Sequence, residues 1–123
     1  MKKVLFSVLV LIFFVSACYN DSEELLLPNV TKQSCDTTKV TYGVTIISIL
    51  SSNCLACHSN SNAVTSGGGF KLQDYTDIKS QASLIYGCIT HTNSFPMPKG
   101  SQMLDSCSIK QFAIWIRMGT PEN

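Results

Sequence analysis

Cys54-Leu55-Ala56-Cys57-His58 decides how the rest of this 123-residue chain is read. Two cysteines separated by two residues, with a histidine directly behind the second, form the attachment pattern of a c-type haem. Each thiol adds to one haem vinyl group, and the two-residue gap lets both sulfurs reach the two vinyls on one edge of the macrocycle. The next residue, His58, is then held under the iron as the proximal axial ligand. Other readings of the cysteine pair carry less weight. A structural zinc site wants a second ligand pair at similar spacing, which the sequence lacks. A thioredoxin-like redox pair goes with a strand–helix–strand pattern, and the flanks do not show one.

The length suits one small domain. Nine basic side chains stand against eight acidic ones, so the charge supports no nucleic-acid partner. No internal repeat is visible. Six cysteines in so short a chain point to an exported, oxidising setting or to cofactor attachment.

The start of the chain reads as a targeting segment. Lys2 and Lys3 form a positive n-region, and Val4 to Val15 is an apolar run broken only by Ser7. The run is too short for a stable bilayer span. It leads into Val15-Ser16-Ala17-Cys18, which resembles a bacterial lipobox; an ordinary signal peptide that happens to contain a cysteine fits less well. The expected organisation is therefore a signal peptide over 1–17, a lipid on Cys18, a tether over 18–37 and a domain over 38–123. Cleavage removes two of the nine basic side chains and leaves seven against eight acidic ones. Covalent haem attachment takes place outside the cytoplasm, so the signal and the motif support each other. By resemblance to lipoprotein sorting rules, Tyr19 after Cys18 favours the outer membrane. The acidic patch of Asp21, Glu23 and Glu24 looks like a surface-export signal, which leaves the periplasmic and surface faces both open. Pro28 and Asn29 interrupt any helix in the tether, where the apolar triplet Leu25-Leu26-Leu27 stands out.

Within the domain, residues 41–53 are ambiguous. Val44, Ile47 and Leu50 recur at helical spacing, yet the β-branched run also suits a strand. Residues 59–73 are polar and glycine-rich and read as a loop, in which Gly67-Gly68-Gly69 would let backbone approach a haem edge. A helix is expected from Tyr75 to Tyr86, capped by Asp74, ended by Gly87 and burying Ile78, Ala82 and Ile85. In Pro96-Met97-Pro98, two prolines clamp one methionine and forbid regular helix. Such rigidity suits a sulfur held at a fixed distance from iron, although methionine more usually fills core gaps. Met103 is the rival ligand without the prolines. His91 ranks behind Met97 as a ligand and is read as a support for the methionine loop or a propionate. The last helix begins with Ser106 or Ser108 as cap, carries the stripe Ile109, Phe112, Ala113, Ile116, and stops at Gly119 before Pro121. Trp115 is expected in the core.

From Tyr42 to Asn123 these residues resemble a small class I cytochrome c. The likeness rests on Cys54-Leu55-Ala56-Cys57-His58, the Pro96-Met97-Pro98 loop and the closing Trp115-Ile116-Arg117-Met118-Gly119. The chain also looks like the small cytochrome lipoproteins of some Gram-negative bacteria. The resemblance implies an all-α fold of three or more helices wrapped around one covalent haem c, with a helix leading into the haem motif. It implies His58 and Met97 as axial ligands, and electron transfer with a redox partner protein rather than enzymatic turnover. A haem sensor or peroxidase-like protein, with an open sixth iron position, is the alternative. Cys35, Cys88 and Cys107 are not part of the family pattern. At most one disulfide forms among them: Cys35–Cys107 is preferred because it would pin the tether to the last helix, and Cys88–Cys107 is the other choice. Lys71, Lys79, Lys99 and Arg117 would either ring an exposed haem edge or, as the preferred reading, belong to an ordinary solvated surface.

Overall fold

The computed structural model describes residues 34–123; the signal segment, Cys18, Tyr19, the acidic patch and the Leu25-Leu26-Leu27 triplet lie outside the described residues. A π-helical turn, Tyr42–Ile46, leads into α1, Ile47–Asn53. Four more helices follow: α2, Leu55–His58; α3, Tyr75–Ser80; α4, Ala82–Ile89; and α5, Ser106–Arg117. No strand occurs among the described residues, so the fold there is all-α, as expected.

The ambiguous stretch before the motif is helical. Its wide first turn is closed by the Thr41 carbonyl, which accepts from the Thr45 N–H at 3.0 Å and the Ile46 N–H at 3.1 Å. The expected stripe is displaced, however: Ile46, Ile49 and Leu50 are buried, while Val44 is 76% exposed. Burying these large side chains, worth about 1.5–3 kcal/mol each, outweighs the few tenths by which β-branching disfavours a helix.

The single helix expected over 75–86 is two. Gln81 leaves helical geometry at φ −109°, ψ 8° between α3 and α4, and its side-chain amide donates to the carbonyls of Lys71 and Asp77. Asp74 stands at the N-cap of α3 without capping it, because its carboxylate accepts instead from the Asn60 side-chain amide at 2.9 Å. Gly87 does not end the helix. It lies inside α4, where a Cβ would come within 2.9 Å of the Asn93 side chain. The chain turns two residues after α4, at His91.

For α5 the cap is neither serine. Asp105 accepts from the backbone N–H groups of Cys107 (2.9 Å) and Ser108 (3.0 Å), and the Ser108 hydroxyl donates to the same carboxylate at 2.6 Å. A carboxylate at a helix N-terminus serves better than a hydroxyl, because it also carries the charge the helix dipole favours. Gly119 stops the helix at φ +86°, as its position suggests.

One apolar core joins these elements, running from Val40 through Ile46, Leu50 and Ile78 to Phe112 and Trp115. α5 packs against both α4 and the π-helical turn. Phe112 and Trp115 are fully buried, and the Trp115 ring stacks on Tyr42 with centroids 5.9 Å apart. Its N–H donates to the Pro121 carbonyl at 2.9 Å, which satisfies the one polar atom of a buried indole. Cys35 and Cys107 are joined in a disulfide, and the Gln111 side chain donates to the Asp36 carbonyl at 2.8 Å. The compact unit therefore begins at Cys35, and residues 35–37, read from sequence as the end of the tether, are fastened to α5.

Candidate functional site

Helical geometry places the motif before any tertiary contact does. Cys54 precedes α2, whose N-terminal cap position it occupies, and its carbonyl accepts from the Cys57 N–H (3.1 Å) and the His58 N–H (2.9 Å). Residues three and four apart on such a turn share a face, so Cys54, Cys57 and His58 fall on one side. The loop then closes back on the turn. The Leu72 N–H donates to the His58 carbonyl at 2.9 Å, and the Asn62 side chain donates to the Ala56 carbonyl at 2.9 Å.

The His58 ring is oriented by backbone. Its Nδ1 lies 2.9 Å from the Phe70 carbonyl oxygen, which can only accept, so Nδ1 carries the proton. The lone pair is then on Nε2, the arrangement in which a histidine ligates a metal while its other nitrogen is held by a carbonyl. Gly67 makes this possible. A Cβ there would stand 2.7 Å from the Cys57 carbonyl oxygen, 2.9 Å from His58 Nδ1 and 3.0 Å from Ala63 Cα. Of the three successive glycines, the first is required by close approach to the histidine rather than by a left-handed turn, while Gly68 and Gly69 have φ of +61° and +85°.

Cys54, Cys57, His58 and Met97 line one cavity of about 470 Å³. Its remaining wall is mostly apolar and includes Phe70, Leu72, Leu84, Ile85, Ile89 and Phe95. The volume lies within the range of about 300–1,000 Å³ over which small-molecule and cofactor sites fall. A large apolar space with three thiols, one oriented imidazole and one thioether on its wall can take the porphyrin group that the resemblance implies. Among the described residues no group of three or more His, Cys, Asp or Glu side chains is placed to hold a bare metal ion.

The two rival ligands are placed elsewhere. Met103 is 57% exposed and does not line the cavity. His91 does not line it either; its Nε2–H donates to the Met97 carbonyl at 3.1 Å. Of the four surface cations considered, Lys99 alone reaches the cavity wall, and Lys79 instead sits over the Tyr75 ring at 5.4 Å.

Two participants were not legible beforehand. The Phe70 carbonyl is a backbone group, and no residue type signals it. Cys88 lines the cavity as a free thiol, with the Asn93 side-chain amide 3.3 Å from its sulfur, and its carbonyl accepts from the Met97 N–H at 3.0 Å. Burial pushes the Cys54 thiol up to about 11, with the nearby Cys88 thiol adding to the effect, so Cys54 is a neutral thiol at physiological pH. No protein-family model matches the chain, and no curated protein or solved structure matches it.

Proposed function

We propose that this chain is a mono-haem c-type cytochrome of class I type, an exported electron carrier anchored to the outer membrane by a lipid on Cys18. The observation that carries the reading is the convergence of Cys54, Cys57, His58 and Met97 on one apolar cavity, with the His58 proton committed to Phe70. Cys54 and Cys57 would hold one haem c through thioether bonds. His58 Nε2 and the Met97 sulfur would be its axial ligands. The bound haem supplies a one-electron ferrous/ferric couple.

The chain's own residues set how that couple behaves. A thioether on the sixth position favours the ferrous form and raises the potential. The apolar wall of Leu72, Ile85 and Ile89 would exclude water from a bound haem and disfavour the extra charge of the ferric form, which would act in the same direction. With half-buried Met97 as its ligand the sixth position would be closed, which would suit outer-sphere electron transfer to a partner protein better than the sensor and peroxidase-like readings. The lipid anchor rests on the sequence of residues 1–19 alone, and the electron-carrier reading does not depend on it.

The test is expression of the full chain together with haem-attachment machinery. The purified protein is expected to retain iron porphyrin under denaturing conditions, and Cys54→Ala with Cys57→Ala to lose it. The oxidised protein is expected to show a far-red methionine-to-iron charge-transfer band that Met97→Ala lacks. Absence of covalent porphyrin from the wild type would overturn the proposal. Ready binding of carbon monoxide to the reduced wild type at neutral pH would move the function to the sensor class.

A further inference from the structure

We propose that His91 is a positioning residue: its imidazole locks the Met97 loop onto the end of α4 and thereby holds the sixth ligand in place. This rests on the reading of Met97 as that ligand.

Helix α4 ends in a Schellman motif. The His91 N–H donates to the Cys88 carbonyl at 3.2 Å and the Thr92 N–H to the Gly87 carbonyl at 3.0 Å, with His91 in the left-handed region at φ +54°. Glycine is the usual residue at this position, since any Cβ makes the left-handed conformation costly. Ending the helix therefore does not require a histidine; the backbone would be better served without one. What the histidine adds is reach. Its Nε2–H spans back to the Met97 carbonyl at 3.1 Å. The Met97 N–H is tied to the Cys88 carbonyl at 3.0 Å, so both backbone polar groups of Met97 are fixed to the same turn. Between these ties Asn93 braces the loop: its side-chain oxygen accepts from the Phe95 N–H at 2.9 Å, and its amide reaches the Leu84 carbonyl at 3.4 Å. A strained residue whose side chain bonds the backbone of a ligand is the kind of local cost that persists where a site must be held rigid.

A purely structural role and a positioning role give opposite expectations for His91→Gly. Glycine relieves the left-handed strain, so resistance to urea should be maintained or raised. The hydrogen bond to Met97 is nevertheless lost, and the loop opens more readily. In the haem-loaded protein, external imidazole, which must displace Met97 from ferric iron, is expected to bind about threefold to tenfold more tightly than to wild type. In the same haem-loaded protein the Met97 amide is expected to exchange with solvent faster than in wild type. His91→Gln, whose amide nitrogen can stand in place of Nε2, should restore wild-type imidazole affinity even if it lowers stability. Unchanged imidazole affinity in His91→Gly, with the far-red band present in wild type, overturns the positioning role alone. Absence of that band from wild type overturns the ligand reading as well. Failure of His91→Gln to rescue, while it still folds, likewise counts against the hydrogen bond as the cause.

Discussion

Replacing Gly67 by alanine tests the foundation of the site with or without a bound group. The added methyl would meet the Cys57 carbonyl oxygen at 2.7 Å, His58 Nδ1 at 2.9 Å and Ala63 Cα at 3.0 Å. Two of these are backbone atoms, pinned by the Cys54–His58 turn and by the Gly67 N–H, which donates to the Ala63 carbonyl at 3.0 Å. The imidazole is the part that can yield, and yielding breaks its 2.9 Å bond to the Phe70 carbonyl. Overpacking costs about 1–3 kcal/mol and a lost hydrogen bond about 0.5–1.5 kcal/mol, so a destabilisation of about 2–4 kcal/mol is expected. With a urea m-value of about 1 kcal/mol/M for a domain this small, the midpoint should fall by about 2–4 M. Urea unfolding of the haem-free protein, followed by Trp115 fluorescence, measures it. Gly43→Ala is the control: its Cβ would meet only the Asn123 carbonyl oxygen, at an ordinary 3.4 Å, and alanine in a helical turn should leave stability unchanged or slightly raised. Nitrogen NMR of His58 gives a second reading, with the proton on Nδ1 in wild type and a mixture of tautomers in Gly67→Ala. Equal midpoints for the two alanine variants would refute the close-approach argument.

In the haem-free protein, alkylation of Cys54 should lag well behind that of exposed Cys57, because a thiol raised from 9.0 to about 11 by burial carries about 100-fold less thiolate near pH 8. Its rate should climb with pH until about 11, and equal rates by peptide mapping would contradict the placement. Asp105→Ala should cost about 1 kcal/mol through loss of the cap. The Ser108 hydroxyl, then backbone N–H groups, hold this carboxyl below 3.8, so its contribution is full above that pH and fades as pH falls; variant and wild type should converge in strong acid. Opening the Cys35–Cys107 disulfide, which spans a sequence separation of 72, should cost about 4 kcal/mol by loop entropy, read as a lower urea midpoint for the Cys35→Ser, Cys107→Ser double variant.

Local rules carried far along the chain and then failed at identifiable points. The stop at Gly119 and the burial of Ile78, Ala82 and Ile85 follow from periodicity and end signals within one or two turns. The cap of α5 is Asp105 because three polar residues compete within four positions, and the strongest acceptor lies one position before Ser106 and three before Ser108. Asp74 occupies the expected place but is drawn away by Asn60, fourteen residues distant in sequence, which no local signal marks. Gly87 looked like a stop and is instead a gap left for Asn93.

The sequence alone determined the chemistry of the motif: the spacing of Cys54, Cys57 and His58 puts them on one face of a helical turn, because helix geometry repeats every three to four residues. Only the tertiary structure decided which groups face them. It brings Met97 rather than Met103 to the cavity, draws Cys88 into the wall, ties Cys35 to Cys107 and fixes the His58 proton on a carbonyl twelve residues away. Each of these depends on how one core closes over distant segments, and the pattern of residues along a single segment holds no record of that closure.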